Sequence, residues 1–574
     1  MTWVALTGIL LLVTVMAPYH ARAGAGDSST ARPRTYYVGP EGNDRNDGLS
    51  VRSPKSTFAT LLRSPPVLQP GDAIVLMDGN YTSSTTGLLQ VRCAYRGSSG
   101  PNARDGLPDK PITIRAMNPR RAVLRSDGTT AGVGLVGCEF YVLRDLVVLS
   151  DTTASKAFDY TGGIALIDGP TVAGGPIQKP PRHILVEGCL SAFANRYQNV
   201  ALFAVENGAD VTFKNVEGYG YHRHGIALWR SERISVDGAY LNGRAWANVP
   251  AGYRCTGCNP TGPDEAIAVY QSSFSAIENV VTDDPADASR GIIVHGGCTY
   301  AGNHGGASNL IAGIVSVSSG GVTVNPRAEF TCAGQNTRYP KDNVFRDILV
   351  LGSDSDSNAF NLRTAVNTTL KNGTAFGTKV HGGVVVIDDR AVECASIGGC
   401  STTLRDVVSV ANTGPDLMVT SGFAANGQCL VERTFTNAAP ELPSGCTGGA
   451  NVVGVTPEGL GVTGSRCVTH CSDPKVCLGA GETLGADVRC QHRRGERRHA
   501  SMFLPTGTSP PNCTSGLGCK HQFYACGPLV PGVNDIDGDS CFDVHERLNL
   551  KSDDSGCPEA DCPLGETDAS AGSR

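Results

Sequence analysis

Between residues 225 and 296 the chain repeats one alternation of small, apolar and large positions. Gly225-Ile226-Ala227-Leu228-Trp229-Arg230 is followed by Ala266-Ile267-Ala268-Val269-Tyr270-Gln271 and then by Gly291-Ile292-Ile293-Val294-His295-Gly296. Each phrase opens on a small residue, has apolar residues at its second and fourth places, and has a large residue at its fifth. A second apolar run follows each, such as Ile277-Glu278-Asn279-Val280-Val281. The period of two predicts strands. Related phrases begin at Gly132, Gly163, Asn199, Gly321, Ala359 and Gly383, and some phrase starts lie 24 or 25 residues apart, as 359 and 383 or 266 and 291 do. A recurring unit of that length predicts stacked coils, each too small to bury its apolar face alone and together forming one continuous core. A β-sandwich or propeller fits less well, because hairpin folds need regular tight turns.

The N-terminal order adds a resemblance. Tyr36-Tyr37-Val38-Gly39-Pro40, Asn46-Asp47-Gly48, Phe58-Ala59-Thr60-Leu61 and Pro70-Gly71-Asp72-Ala73-Ile74-Val75-Leu76 follow one another, and Pro111-Ile112-Thr113-Ile114-Arg115 continues the series. This opening resembles that of secreted right-handed parallel β-helix proteins, nearest to polysaccharide lyases of the chondroitinase B and alginate lyase kind. The resemblance implies an all-β, right-handed parallel β-helix of about ten coils, with a first strand, a capping helix and a Pro-Gly-Asp turn into the first coil. It implies a lyase activity less specifically, because the catalytic Lys and Arg motifs of that group have no clear counterpart here.

The ends of the chain differ from its middle. Val4 to Met16 is apolar, and Ala21-Arg22-Ala23 is a small-x-small cleavage pattern, so residues 1–23 read as a signal peptide and the protein as secreted or cell-surface. The apolar run is shorter than the roughly 20 residues that span a bilayer, and no later stretch is apolar enough. Residues 24–34 form a polar linker, 35–437 the β-helix, 438–466 a linker or degenerate coils, and 467–574 a Cys-rich module with little apolar periodicity. Twenty-one cysteines in an exported chain of 574 residues imply disulfides, and the odd number leaves one over. Cys255 and Cys258 read as loop disulfide partners, with Cys298 or Cys332 as candidates. The net charge of −6 gives no reason to expect nucleic acid as a partner.

With second and fourth places inward, the first, third and fifth point outward. The third place is small in Ala165, Ala201, Ala227 and Ala268. The fifth is large in Phe203, Trp229, Tyr270, His295, Asn325 and Arg363. A shallow track beside an aromatic and polar ridge suits a polysaccharide, with Phe203, Trp229, Tyr270 and Arg363 as substrate-binding candidates. His224, Glu265 and Arg290 each begin or immediately precede a phrase, so stacking in register would bring them together at one end of the groove. A lyase needs a base and a cation that stabilises an enolate. Arg290, His224, His295 and Glu265 are the catalytic candidates, and Asp283, Asp284 and Asp287 are candidates to hold Ca²⁺. The expected substrate is an acidic, uronate-containing polysaccharide cleaved by β-elimination. The alternatives are a non-catalytic glycan-binding or adhesive surface protein and a glycoside hydrolase, which would pair Asp264 or Glu265 with a carboxylate of the acidic turn.

In the last module, Asp535, Asp537, Asp539, Asp543 and Glu546, with the carbonyl of Cys541, fall at the ligand places of an EF-hand-like Ca²⁺ loop. The stretch resembles the Asp-rich repeats of thrombospondin type 3, with Ser540 where Gly is usual. Arg489, Arg493, Arg494, Arg497 and Arg498 form a basic cluster suited to an anionic polymer.

Overall fold

Alternating apolar phrases stack as parallel strands. The computed structural model describes residues 32–454 apart from segments joining the strands, the longest being 244–264; residues 1–31 and 455–574 lie outside the described residues. Eleven strands, from Leu89–Arg92 to Leu417–Val419, form one parallel sheet, and nineteen form a second. Among the described residues every pairing of strands is parallel except the short one of Gly297–Cys298 with Thr337–Arg338, and an isolated antiparallel bridge joins Leu107 to Lys110. The chain passes repeatedly between the two sheets, and the result is a parallel β-helix.

The larger sheet folds along a line. Strands such as Ala209–Tyr219 and Cys400–Val410 run through a residue in the left-handed conformation, Asn215 and Asp406. The same place in the coils between them is taken by Gly238, Asn279, Gly313, Asp347 and Asn372, all with positive φ. Gly, Asn and Asp adopt this conformation most readily. The amides link coils: Asn279 Nδ2 donates to Asp237 Oδ1 at 2.6 Å, and Asn372 Nδ2 to Asp347 Oδ1 at 2.9 Å. Each coil therefore turns at the same height, which keeps the next strands in register.

The inward residues Ile226, Leu228, Ile267, Val269, Ile292 and Val294 are fully buried in one continuous core. Each such side chain contributes about 1.5–3 kcal/mol of burial. At the N-terminal end the strand Thr35–Val38, the helix Ala59–Leu62 and the strand Ala73–Leu76 follow in turn. Asp72 closes the Pro-Gly-Asp turn by accepting from the backbone N–H of Arg34 and Gln69 at 2.8 and 2.9 Å. Phe58, Leu61 and Leu62 cover that end of the core. Beyond residue 437, Cys446–Thr447 and Val452–Val453 pair with the strand Gly427–Thr436. Disulfides join Cys93 to Cys138 and Cys429 to Cys446, while Cys189 is a buried free thiol. Cys255, Cys258 and Cys332 lie outside the described residues.

Strict alternation fails at the start of the phrases. The first place was expected outward, yet Ala266 belongs to the core, and a Cβ on Gly225 would lie 3.0 Å from the core side chain of Leu241. First and second places both face inward at the corner, and this explains why the first must be small. The residue before the phrase then faces outward.

Candidate functional site

Three columns cross the outer face of the eleven-stranded sheet. The front column is Ala201, His224, Glu265 and Arg290, each in register with the next. The middle column runs Ala165, Ala204, Ala227, Ala268 and Ile293. The rear column runs Glu206, Trp229, Tyr270, His295 and Asn325. Stacked coils lie about 4.8 Å apart, so one side chain per coil suffices to build a contiguous group from residues distant in sequence.

The front column is a charge cluster. His224 Nδ1 lies 2.9 Å from Glu265 Oε2, with side chains 0% and 5% exposed. The approach is close but angled, an electrostatic contact and not a well-formed hydrogen bond. Arg290 places a guanidinium nitrogen 3.4 Å from Glu265 Oε1, and the Tyr270 hydroxyl donates to Glu265 Oε2 at 3.3 Å. Burial by itself would raise the Glu265 carboxyl. The contact with His224, and the charges of His224, Arg290 and His295, outweigh it and hold the group down to about 2. Glu265 is thus a carboxylate at neutral pH, and Arg290 carries a permanent positive charge. His224 Nε2 is buried and has no hydrogen-bond partner among the described residues.

The rear column lies back over the middle one. Trp229 and Tyr270 stack with centroids 6.1 Å apart and planes at 17°, and Tyr270 meets the His295 ring at 4.6 Å. His224 presents its edge to both Trp229 and Tyr270, at 5.8 and 5.4 Å. Ala201, Ala204 and Ala227 pack against Trp229, and Ala268 and Ile293 pack with Tyr270. The expected open track is therefore filled: Ala227 and Ala268 are fully buried beneath rings that fold onto them, and Tyr270 and His295 are themselves buried. Trp229 and Arg290 remain half-buried and form the accessible part of the group.

The remaining candidates separate from this cluster. Phe203 is not on the ridge. It pairs with Ile226 rather than with Trp229, and it is fully buried in the core against Phe213. Leu202 and Phe203 both face inward, so the phrase was read three residues early; Ala204, not Ala201, occupies the middle column. Glu206 is the true counterpart of Trp229, and its carboxylate pairs with Arg230. The spacing of Glu206-Asn207 ahead of a turn matches Trp229-Arg230 and was the available signal. Arg363 ends the strand Phe360–Arg363, half-buried, two coils beyond His295. Asp283 ends the strand Ala276–Asp283 in the larger sheet, opposite Asn242 and Val317. Asp284, Asp287, Asp535, Asp537, Asp539, Cys541, Asp543 and Glu546 lie outside the described residues. Among the described residues no three His, Cys, Asp or Glu side chains are grouped to hold a metal ion, and no helix is long and apolar enough to cross a membrane.

No family model matches the chain. A segment of 96 residues is 32% identical to Pectate lyase L of Dickeya dadantii (strain 3937), covering 17% of this chain and 20% of that protein. The match thus spans one fifth of that relative's length. Similar solved structures include pectate lyase Pel9A, at 17% identity and TM-score 0.34, covering 58% of this chain and 80% of that one. A mannuronic acid specific polysaccharide family 6 lyase from human gut microbiota has 14% identity and TM-score 0.38, covering 72% and 83%. A GH136 lacto-N-biosidase from Eubacterium ramulus has 14% identity and TM-score 0.34, covering 74% and 65%. This chain is similar to each at a level that assigns no activity.

Proposed function

We propose that this chain is a carbohydrate-active protein that engages an acidic, uronate-containing polysaccharide along the outer face of the eleven-stranded sheet and cleaves it by β-elimination. The observation that carries the reading is the meeting of the Arg290–Glu265–His224 column with the Trp229–Tyr270–His295 column. Trp229 offers an aromatic face to a sugar ring. Arg290, fixed by Glu265, offers a cation to a uronate carboxylate, which acidifies the neighbouring C–H and stabilises the enolate formed when the proton leaves. A guanidinium so held is a poor base, so proton removal falls to an imidazole, and His295 at the edge of the aromatic stack is the candidate. The enolate's electron pair then forms the double bond as the C–O bond to the leaving sugar breaks, and the departing oxygen takes up a proton from water, leaving an unsaturated product. Glu265, ionised well below neutral pH, cannot serve as the acid of a hydrolase. The partial likeness to a pectate lyase supports the lyase class without fixing it. Ca²⁺, secretion and the final module remain part of the proposal.

Burial of His224, Tyr270 and His295 favours a second reading, a glycan-binding surface without turnover. Incubation of the full chain with polygalacturonate, alginate and chondroitin, with and without Ca²⁺, separates the two. Ultraviolet absorbance from unsaturated uronate supports elimination. Retained binding with no absorbance on any polymer overturns it, and new reducing ends without absorbance indicate hydrolysis.

A further inference from the structure

The middle and rear columns change character after Ile293 and His295. The middle column, small or apolar from Ala165 to Ile293, becomes Thr323 and Asn361 and then returns to Val385. Beside them the rear column becomes Asn325 and, on the next coil, Arg363, before Ile387. Four polar residues thus meet on two adjacent coils, where the middle column is elsewhere small or apolar. Two of them are unsatisfied. Thr323 is 1% exposed and its hydroxyl has no hydrogen-bond partner among the described residues; nor has Asn361 Oδ1. A buried polar group left without a partner costs about 1–3 kcal/mol, so oxygens in this state call for a donor beyond the described residues, which a bound sugar hydroxyl would supply. The third and fifth places of a strand lie about 7 Å apart and the coils about 4.8 Å apart, a footprint that fits one pyranose ring.

We propose that Thr323, Asn361 and Arg363 form a specificity subsite for one acidic sugar residue, whose hydroxyls donate to Thr323 Oγ1 and Asn361 Oδ1 and whose carboxylate accepts from Arg363. The assignment rests on the reading of this face as a polysaccharide-binding surface and adds a direction to it. From Trp229 to Arg363 is four coil steps, about 19 Å, so a bound chain stacks on the aromatic end and is read for charge and hydroxyls at the other.

The test is calorimetric titration of the full chain with hexamers of galacturonate and of mannuronate, each also in a carboxyl-reduced neutral form. Thr323→Val keeps the side-chain shape and Arg363→Gln removes the charge; thermal unfolding at the wild-type temperature shows that each variant is folded. Both variants are expected to weaken the acidic hexamer that the wild type binds by about tenfold, equivalent to roughly 1.4 kcal/mol. Arg363→Gln should leave the neutral hexamer unchanged, whereas Thr323→Val should weaken it too. If both variants bind like the wild type while Trp229→Ala loses affinity, the subsite is wrong and the surface reading stands. If the wild type binds no hexamer, both are overturned.

Discussion

Glu265 Oε2 sits 2.9 Å from His224 Nδ1, one coil away, and both side chains are closed to solvent. Arg290 approaches the same carboxylate from the next coil on. The three residues occupy one register position on successive coils, so stacking alone brings the charges together. Removing the carboxylate should leave the half-buried Arg290 guanidinium and the buried His224 ring without the anion they share. Glu265→Gln is expected to destabilise the protein by about 3–5 kcal/mol, measured by denaturant unfolding at neutral pH.

The same group predicts a pH dependence. Its carboxyl stands near 4.5 when unfolded and is depressed to about 2 in the fold. A depressed acid stabilises the native state above its unfolded value, and that contribution is lost as pH falls through the folded value. At 1.36 kcal/mol per unit the shift is worth roughly 3 kcal/mol. Unfolding free energy should therefore fall between about pH 4.5 and pH 2, and Glu265→Gln should flatten that limb. A variant with the wild-type slope would remove Glu265 as its source.

Gly225 predicts how the site is aimed. A Cβ there would lie 2.7 Å from the Ala266 carbonyl oxygen and 3.0 Å from Leu241. Gly225→Ala should cost about 1–3 kcal/mol by overpacking. It should also displace His224, its immediate neighbour, so any turnover should fall further than Tm alone explains. Equal effects on both would argue that the strand start does not position the cluster.

Asn279 tests the folding line of the larger sheet. Its φ is 59° and its amide donates to Asp237. Asn279→Gly keeps the conformation and loses one hydrogen bond, at about 1 kcal/mol. Asn279→Val adds a left-handed penalty of roughly 1–2 kcal/mol for a branched residue. Thermal melts should rank wild type above Gly above Val.

Trp229 is the accessible ring of the stack, while Tyr270 is buried beside it. Trp229→Ala should lower polysaccharide affinity at least tenfold with a modest stability loss of about 1 kcal/mol. Tyr270→Phe, which removes only the hydroxyl held by Glu265, should change turnover more than affinity. Binding titrations beside steady-state kinetics, on whichever polymer yields unsaturated product, would resolve the two.

Much of the architecture was legible because a strand states its inward face every second residue. Ile226, Leu228, Ile267 and Val269 announced the core, and the repeated order announced stacking. Residues brought together by register, His224, Glu265 and Arg290, were also readable, since register follows from repeated phrases. Three things were not. Leu202-Phe203 is apolar at both positions, so alternation did not show which phrase position each held, and Phe203 was assigned to the wrong face. The inward turn of Gly225 and Ala266 depends on the corner, which strand periodicity does not contain. The collapse of the aromatic rings onto the alanines depends on side-chain direction along the strand, and this left an open groove in the expectation where the structure has a covered one.

The site is written across the coils and not along any one strand, and this sets which length changes the molecule can absorb. Extra residues between two strands lengthen a connection and leave every column where it was. One residue gained or lost within His224–Trp229 would turn His224 and Trp229 to opposite faces. A whole coil gained between His224 and Glu265 would instead separate them by another 4.8 Å and break their contact while leaving the core intact. Variation in this chain is thus free between strands, forbidden within them, and in whole-coil steps acts as a ruler on which side chains meet.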